Sequence, residues 1–401
     1  MSGAVARQAV VLAGGKGTRL GALTAEIPKP LLPIDGDRRF LDYLVEDLAR
    51  QGFDDIVLLA GHLGEQIEAR YQGSRIGAAR LSVLRESEPR GTGGALAEAR
   101  GRLAPEFLML NGDTIVDCNL RAFERAAAAL DLPAVLAMLE VPDAARYGTM
   151  TAGGGRVMQF REKDPASGRA TINAGIYRLR REVLAEITEL PCSIESALFP
   201  RWAAAGRLGC APVSGWFLDI GLPETLSQAR TEMPERFRRH CAFLDRDGTL
   251  TLDKGYAHRV EDLVWMPGAR EAIRLLNDRG WRVIVCTNQA GIAKGRFSEA
   301  DMQAFHAAMQ AELAERGAYV DAFYHCPYHT DAVVEHLRAD HADRKPNPGM
   351  LLRAMRDWRI DTGRSFMLGD KASDVQAGQA AGVRGVLYDG GRLDEVVAGL
   401  L

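Results

Sequence analysis

The sequence lacks a cysteine framework, a surplus of basic residues and any long apolar run. None of its six cysteines forms a C-x-C or C-x-x-C pair, so we expect reduced thiols of a cytoplasmic protein rather than disulfides. Lys and Arg total 50 against 53 Asp and Glu, a net charge of −3. Without a clustered basic face, no nucleic-acid partner is expected. No apolar stretch approaches a membrane span, and the first predicted strand leaves no room for a leader peptide, so no membrane partner is expected either.

The chain is long enough for two domains, because 401 residues exceed one ordinary hydrophobic core. Short β-branched runs alternate with amphipathic helical patterns, which is typical of mostly parallel sheets with helices on both faces. We predict an α/β fold of two Rossmann-like domains, residues 1–230 and 238–401, divided within the polar stretch 227–240. Strands are predicted at 8–13, 55–60, 81–85, 107–110, 134–139, 241–244, 281–286, 322–325 and 365–368, and helices at 41–51, 64–71, 269–279 and 299–316.

A glycine-rich loop follows the first predicted strand. Gly14, Gly15 and Gly17 let backbone N–H groups approach an anion closely, and Lys16 and Arg19 add positive charge. The loop lacks the G-K-[ST] ending of a Walker A motif and the third glycine of a dinucleotide fingerprint. By itself it predicts either a phosphate-binding turn or a tight strand-to-helix connection.

Four later segments make the signal specific. They are PKPLLP at 28–33, ESEPRGTGGAL at 86–96, LNGDT at 110–114 and WFLDIG at 216–221. In this order, over about the first 226 residues, the series resembles the nucleoside-diphosphate-sugar pyrophosphorylases. The resemblance implies transfer of a nucleotidyl group from a nucleoside triphosphate to a sugar 1-phosphate, with release of pyrophosphate. Charge neutralisation and in-line positioning would supply most of the catalysis.

The same resemblance implies a role for each matched residue. Arg19 and Lys29 would be catalytic, and Asp113 and Asp219 would share Mg²⁺, a cation suited to oxygen ligands. The implied substrate-binding residues are Gly14, Gly15 and Gly17 for the triphosphate, Thr92 and Gly93 for the nucleobase and ribose, and Glu162, Lys163 and Asn173 for the sugar phosphate. Tyr147 and Gly148 fit a sugar contact and a simple turn equally well.

A second loop follows the predicted strand 241–244 and places Asp245 and Asp247 two residues apart. In a continuing strand both carboxylates would point to one side, where like charges repel unless a cation or a function holds them. The segments TNQ at 287–289, RKP at 344–346 and GDKASD at 369–374 follow in order. This layout, from residue 241 to about 388, resembles the haloacid-dehalogenase-like phosphatases.

By this resemblance Asp245 attacks phosphorus to form an aspartyl-phosphate, and Asp247 protonates the leaving alcohol and then activates water. Thr287 and Lys345 would stabilise the nucleophile and the phosphoryl oxygens. The implied substrate contacts are Asn288 and Arg344, and the implied Mg²⁺ ligands are Asp245, Asp247 and Asp370, with Asp374 in support.

The segments 287–295 and 344–350 are similar to the heptose bisphosphate phosphatases and the related histidinol-phosphatases. Such relatives often carry a zinc loop, with Cys-x-His and Cys-x-Cys, before the Arg-Lys-Pro. Here Tyr328 stands in place of the first histidine, and the second cysteine pair is absent. The irregular spacing of the remaining metal-ligand types is more typical of surface histidines, so no zinc is predicted; these residues are Cys326, His329, His336 and His341.

Together the two resemblances predict a bifunctional enzyme. Its second domain would convert heptose 1,7-bisphosphate to heptose 1-phosphate, and its first would convert that product to a nucleotide-heptose, with GTP as the expected donor. Two alternatives stay open: another sugar phosphate with UTP, CTP or dTTP, and one domain serving only as a binding or regulatory module. The expected partners are a nucleoside triphosphate and sugar phosphates, and a homo-oligomer is left open.

Overall fold

The computed structural model describes residues 6–161 and 168–401 of the chain. The chain divides into two compact units, Met1–Pro234 and Glu235–Leu401, so the division falls inside the stretch 227–240. Most of that stretch is helical rather than extended, because the helix Pro223–Arg236 continues past Pro234. A proline this near the end of a helix removes one backbone hydrogen bond without breaking the earlier turns. No helix among the described residues is both long and apolar enough to cross a bilayer.

Within the described ranges 6–161 and 168–234, the first unit contains a ten-stranded mixed sheet and two short two-stranded pairs. Its strands are β1 (Gln8–Leu12), β2 (Pro33–Asp35), β3 (Arg38–Arg39), β4 (Asp55–Ala60), β5 (Arg75–Ile76), β6 (Ala79–Arg85), β7 (Glu106–Asn111), β8 (Thr114–Asp117), β9 (Ala134–Val141), β10 (Thr149–Gly153), β11 (Arg156–Arg161), β12 (Ala170–Arg180), β13 (Leu208–Pro212) and β14 (Trp216–Asp219). Its helices are α1 (Phe40–Arg50), α2 (Gly64–Tyr71), α3 (Gly91–Ala99), α4 (Leu120–Ala129), α5 (Phe199–Ala204) and α6 (Pro223–Arg236).

The large sheet has the order β10-β11-β13-β9-β12-β7-β1-β4-β6-β5. The strands β7, β1, β4 and β6 run parallel, whereas β12 runs antiparallel to β7 and β9. Strand β1 is buried on both faces: Val11 packs into one apolar layer and Val10 into the other. Such continuous burial is what a central parallel strand requires. The loops that follow β1, β4 and β7 therefore meet at one edge of the sheet.

The second unit contains a five-stranded parallel sheet of order β17-β16-β15-β18-β19. The strands are β15 (Cys241–Leu244), β16 (Arg282–Asn288), β17 (Ala322–Cys326), β18 (Phe366–Gly369) and β19 (Arg384–Leu387). The helices are α7 (Ala269–Asp278), α8 (Ala290–Ala293), α9 (Glu299–Ala314), α10 (Gly349–Trp358), α11 (Ala372–Ala380) and α12 (Leu393–Ala398). Leu244 and Phe243 pack into separate apolar layers on the two faces. The predicted α/β class is thus confirmed for both units. A mostly parallel sheet was predicted in each, but the sheet of the first unit is mixed, because β12 pairs antiparallel with β7 and β9, and β10 pairs antiparallel with β11.

Candidate active sites

The glycine-rich loop lies where β1 ends, beside the loop that follows β4. Gly14 packs against Gly61, since a Cβ on Gly14 would lie 3.1 Å from the Gly61 nitrogen. Gly17 has a φ of +62° and faces Lys29, because a Cβ on Gly17 would lie 3.3 Å from the Lys29 Cβ. Gly15 has open space around it, since no described residue other than its chain neighbours has an atom within 4 Å of its Cβ position. The loop thus leaves its backbone accessible at this sheet edge.

Lys29 and Asp113 form an ion pair beside that loop. Lys29 is buried, and its Nζ lies 2.7 Å from Asp113 Oδ2. Strand β14 pairs with β8 so that Asp219 lies opposite Thr114, next to Asp113 in the chain. Arg19 reaches the same place, with its Nη2 3.4 Å from where a Cβ on Gly221 would lie. The structure therefore gathers the four residues predicted for phosphate and Mg²⁺ chemistry at one sheet edge.

Arg146 also reaches this edge, although it was not predicted as a site residue. Its Nη2 lies 3.7 Å from Asp219 Oδ1, and Asp219 Oδ1 accepts a hydrogen bond from the Gly221 N–H. The neighbouring Tyr147 packs edge-on against Phe217, with ring centroids 5.1 Å apart. Arg146 precedes the Tyr147-Gly148 pair in sequence, and that pair was the only signal that could have pointed to it.

Thr92 and Gly93 open helix α3 and hold the segment 192–195. Thr92 Oγ1 donates to Glu195 Oε2 at 2.7 Å and accepts from the Ile194 N–H at 3.0 Å. The Gly93 N–H donates to the Cys192 carbonyl at 2.9 Å, and a Cβ on Gly93 would lie 2.9 Å from Cys192 Sγ. These contacts fix the shape of the turn, while the predicted contact of Thr92 and Gly93 with a nucleotide stays a prediction.

Asn173 lies in β12 within a polar network. Its Nδ2 donates to the Tyr177 hydroxyl at 2.9 Å, and its Oδ1 accepts from the Gly175 N–H at 3.0 Å. The Asn173 N–H donates to the Gly148 carbonyl at 3.1 Å, which ties the 147–148 turn to β12. The other two predicted sugar-phosphate residues, Glu162 and Lys163, lie outside the described residues.

In the second unit, Lys345 is enclosed by two carboxylates. Its Nζ lies 2.7 Å from Asp245 Oδ1 and 2.6 Å from Asp374 Oδ1, and it donates to the Cys286 carbonyl at 2.7 Å. All three charged residues are at most 5% exposed. Burial alone would lower the pKa of Lys345, but Asp245 and Asp374 outweigh burial and raise it. The ammonium is therefore charged and close to the predicted nucleophile.

Three carboxylates lie around the carboxyl ends of β15 and β18. Asp245, Asp370 and Asp374 each offer an oxygen, and these oxygens lie within 4.8 Å of one another. Asp370 Oδ1 is buried and has no hydrogen-bond partner among the described residues. Gly248, at a φ of +87°, permits this approach, because a Cβ there would lie 2.4 Å from Asp370 Oδ2. Carboxylate oxygens with an unsatisfied atom suit a hard divalent cation such as Mg²⁺.

The Asp247 carboxylate is not a member of this group among the described residues. It accepts instead from Arg246, with Nε 3.0 Å from Oδ1 and Nη2 2.9 Å from Oδ2, and from Gln289 Nε2 at 2.9 Å. Gln289 Nε2 also donates to Thr287 Oγ1 at 2.8 Å. Burial raises the pKa of Asp247, although Arg246 opposes the shift. A carboxyl with a raised pKa is suited to donate a proton.

Asn288 and Arg344 organise the backbone around Lys345. Asn288 Nδ2 donates to the Lys345 carbonyl at 3.0 Å, and Asn288 Oδ1 accepts from the Lys345 N–H at 3.1 Å. Arg344 Nη1 donates to the Tyr328 carbonyl at 3.2 Å. A cleft of about 350 Å³ opens over the group and is lined by Asp245, Asp247, Tyr256, Asn288, Lys345 and Lys371 among others.

Three residues of this site were not predicted in their full roles. Arg246 and Gln289 bind the Asp247 carboxylate, and Asp374 joins the carboxylate group and pairs with Lys345. Each lies inside a segment already singled out, at 245–249, 287–289 or 369–374. The sequence indicated the segments, but which side chain faces which partner depends on the fold.

The residues considered as zinc ligands are not gathered in the way that the three carboxylates of the described residues are. In the described part of the chain, Cys326, His329, His336 and His341 form no group of three metal-ligand side chains. Tyr328 stacks on His341 instead, with ring centroids 4.1 Å apart and an interplanar angle of 7°.

Comparisons with known proteins match the two units separately. Residues 8–236 match the nucleotidyl transferase family, and residues 342–397 match a HAD-hydrolase-like family. The D-glycero-beta-D-manno-heptose-1,7-bisphosphate 7-phosphatase of Rhodopseudomonas palustris is 44% identical over 164 residues, which cover 41% of this chain and 91% of that protein. The enzyme of the same name from Escherichia coli K12 is 43% identical over 141 residues, covering 35% of this chain and 74% of that protein.

For the first unit, the solved structure of HddC from Yersinia pseudotuberculosis is 31% identical, with a TM-score of 0.50. The match covers 56% of this chain and 99% of HddC. A second structure of HddC, complexed with GMP-PN, matches with the same identity and TM-score.

Proposed function

Because this chain joins a member of the nucleotidyl transferase family to a HAD-like phosphatase, we propose that it makes a nucleotide-activated heptose in two steps. The second unit removes the 7-phosphate from D-glycero-D-manno-heptose 1,7-bisphosphate, and the first unit transfers a nucleotidyl group to the resulting heptose 1-phosphate. The observation that carries this proposal is that relatives of heptose bisphosphate phosphatases and of HddC are fused in one chain.

The phosphatase step uses Asp245 as nucleophile. One of its oxygens forms a bond to phosphorus while the ester P–O bond breaks, and Asp247 gives its proton to the departing heptose oxygen. A water then attacks the aspartyl-phosphate and passes a proton to Asp247, which releases inorganic phosphate and restores Asp245. The raised pKa of Asp247 supports its role as the acid, and Lys345 is close enough to Asp245 to offset charge on the phosphoryl oxygens.

Asp245, Asp370 and Asp374 would hold Mg²⁺ in this unit, and Asp113 and Asp219 would hold it in the other. When bound, the cation would neutralise charge on the phosphate groups. Thr287, Asn288 and Arg344 would contribute to the cleft around the transferred phosphoryl group, with Asn288 acting through the backbone of Lys345.

The transferase step joins two anions. An oxygen of the heptose 1-phosphate attacks the α-phosphorus of the nucleoside triphosphate, and the bond between the α-phosphorus and the bridging oxygen breaks to release pyrophosphate. Arg19, Lys29 and the backbone of the glycine-rich loop would bind the phosphates. Thr92 and Gly93 would contact the nucleotide, and Asn173 with Glu162 and Lys163 the sugar phosphate.

GTP is the proposed donor. The GMP-PN complex of HddC supports a guanine nucleotide in the first unit, because 99% of HddC is matched by this chain. UTP, CTP and dTTP are the competing donors, since the residues that would select the base lie in loops.

The test is a set of four parallel reactions with the purified full chain. Heptose 1,7-bisphosphate, Mg²⁺ and one of GTP, UTP, CTP or dTTP are incubated, and products are read by mass spectrometry. We expect phosphate release in every reaction and nucleotide-heptose with GTP. If nucleotide-heptose forms with another triphosphate and not with GTP, that triphosphate is the donor. If no nucleotide-heptose forms in any of the four reactions, the heptose assignment is overturned.

A further inference from the structure

A buried guanidinium lies behind the carboxylate of Asp247. Arg246 is 0% exposed, and its Nε and Nη2 donate to the two oxygens of Asp247. Its Nη2 also donates to the Ala257 carbonyl at 2.8 Å and to Gln289 Oε1 at 3.1 Å. The ring of Phe305 lies against the guanidinium, 4.8 Å from its central carbon. The orientation of this planar group therefore determines where the Asp247 oxygens point.

The far end of the same guanidinium meets His306. Arg246 Nη1 lies 3.2 Å from His306 Nε2, and His306 is 6% exposed on helix α9. Its ring stacks on Phe323 of β17, with centroids 4.3 Å apart at 15°. Because a guanidinium can only donate, His306 Nε2 must accept, which requires a neutral ring with its proton on Nδ1. The stacking and burial hold the ring in the orientation that this bond needs.

We propose that His306 is a positioning residue for the phosphatase reaction: its neutral imidazole accepts from Arg246 and thereby fixes the guanidinium that orients the carboxyl of Asp247. The inference rests on the proposed phosphatase function. In the described part of the chain His306 is the hydrogen-bond partner of the buried Nη1. Loss of the acceptor at position 306 would therefore leave Nη1 unpaired there, which is costly enough to favour rotation of the guanidinium toward another acceptor. Both bonds to Asp247 would then change together.

A misplaced acid affects some leaving groups more than others. An alkyl oxygen leaves poorly unless it is protonated, whereas a nitrophenolate leaves without a proton. Hydrolysis of the aspartyl-phosphate is common to both esters, whereas kcat/KM reports the step in which the leaving group departs. The role of His306 therefore predicts a loss of kcat/KM that is larger on the heptose phosphate ester than on p-nitrophenyl phosphate. A purely structural role would lower both rates by the same factor.

The experiment compares His306→Leu with His306→Gln in the full-length protein with Mg²⁺. Leu keeps an apolar volume without an acceptor, and the Gln side-chain oxygen can accept in place of Nε2. For His306→Leu we expect kcat/KM on heptose 1,7-bisphosphate to fall by about 10- to 100-fold, because a positioned general acid contributes about 10²–10⁴-fold. The kcat/KM on p-nitrophenyl phosphate should change by less than about threefold, because departure of nitrophenolate needs no acid. His306→Gln should recover most of the lost kcat/KM.

Equal losses of kcat/KM on the two esters, or no loss in His306→Leu, would overturn the positioning role. If His306→Leu fails to fold, His306→Gln decides alone, since a loss equal on both esters contradicts the proposal and near-native rates on both support it. A wild-type protein that hydrolyses neither ester would overturn the phosphatase function itself, and that outcome is distinct from a failure of His306.

Discussion

Lys345 lies between Asp245 and Asp374, with its ammonium nitrogen 2.7 Å and 2.6 Å from their oxygens. Asp370 adds a third carboxylate to the same group. A single lysine therefore offsets only part of the negative charge, and a divalent cation would offset the rest. The side chain of Lys345 thus contributes to stability and to chemistry at once, and the two contributions are separable by adding or removing Mg²⁺.

Replacing Lys345 with Met leaves two buried carboxylates without their cation. We expect the free energy of unfolding to fall by about 3–5 kcal/mol in EDTA, the range for removing one partner of a buried ion pair. Mg²⁺ should recover part of that loss, because the proposed site would hold the cation only in the folded state. Thermal or urea unfolding of the full-length protein, with and without MgCl₂, measures both effects.

Lys371 provides the matched control. Its side chain is 54% exposed, and its ion pairs with Asp253 and Asp370 are longer, at 3.4 Å and 3.8 Å. Lys371→Met should therefore cost less than about 1 kcal/mol, as exposed ion pairs do. Equal losses in the two variants would contradict the electrostatic account of Lys345.

Ionisation of Asp247 should make the phosphatase rate decline toward alkaline pH. Burial raises the pKa of Asp247 above its ordinary value of 3.8, so the folded state binds this proton more tightly than the unfolded state. Stability from this proton is complete below pH 3.8 and is lost as pH rises through the folded pKa. The acid form declines over the same range, so kcat on the alkyl ester should fall toward alkaline pH.

The pH dependence is checked by measuring kcat for heptose 1,7-bisphosphate at saturating Mg²⁺ across the acid-to-neutral range. In Asp247→Asn the rate should be about 10²–10⁴-fold lower, the usual contribution of a general acid, and the alkaline decline should vanish. If the decline of kcat toward alkaline pH persists unchanged in Asp247→Asn, it arises from another group.

At the scale of elements, the segment between β17 and α10 is held together by protein contacts. Tyr328 stacks on His341, and the His329 N–H donates to the Leu337 carbonyl at 3.1 Å. Asp343 pairs with Arg353 of α10 at 2.8 Å. All of these contacts are made between protein groups of the segment and of helix α10.

We predict that the phosphatase needs Mg²⁺ but not zinc, because the cysteine and histidine spacing of a zinc loop is incomplete in this sequence. After dialysis against a chelator, we expect MgCl₂ alone to restore full phosphate release, and zinc in the metal-loaded protein to stay well below one ion per chain by elemental analysis. Tyr328→Ala should raise KM, because the Tyr328 carbonyl accepts from Arg344 and the stacking holds that backbone. His336→Ala, at an exposed position of the same segment, is the control. Recovery that requires zinc would contradict this account.

Local patterns predicted many elements closely. Strands β4 and β15 and helix α2 begin and end at the predicted residues. By contrast, β10, β11 and β12 were not predicted, and β12 carries Arg178 at 1% exposure. That arginine is paired with Glu106 at 2.5 Å, and Glu106 lies 72 positions earlier in the chain. A buried charge of this kind obscures the apolar pattern of a strand, and only the fold supplies its partner.

The same distinction applies to the candidate sites. The spacing of Asp245 and Asp247 indicated a functional pair, but the two carboxylates have different surroundings. Asp245 contacts Lys345, whereas Asp247 contacts Arg246 and Gln289. A motif fixes which residues lie near the strand end, and the packing of neighbouring strands and helices decides which of them meet.

At the scale of the whole molecule, each unit has its own sheet and its own apolar layers on both sheet faces. In the proposed scheme the second unit acts first, since its product is the substrate of the first unit. Chain order is then the reverse of reaction order. Separate cores favour independent folding of the two units. In the proposed scheme each site also works without the chemistry of the other, because heptose 1-phosphate can diffuse from one site to the other.

Two substitutions test this independence. Asp245→Asn removes the nucleophile, so phosphate release from heptose 1,7-bisphosphate should fall by more than about 10³-fold. Nucleotide-heptose should still form when heptose 1-phosphate is supplied directly. Asp113→Ala should do the reverse: it removes the partner of Lys29 and a proposed Mg²⁺ ligand, so pyrophosphate release should fall by at least about 10²-fold while phosphate release stays at the wild-type rate. Mixing the two variants should restore conversion of heptose 1,7-bisphosphate to nucleotide-heptose, because the intermediate is free in solution. If either single substitution abolished both activities in a folded protein, the two sites would be coupled rather than independent.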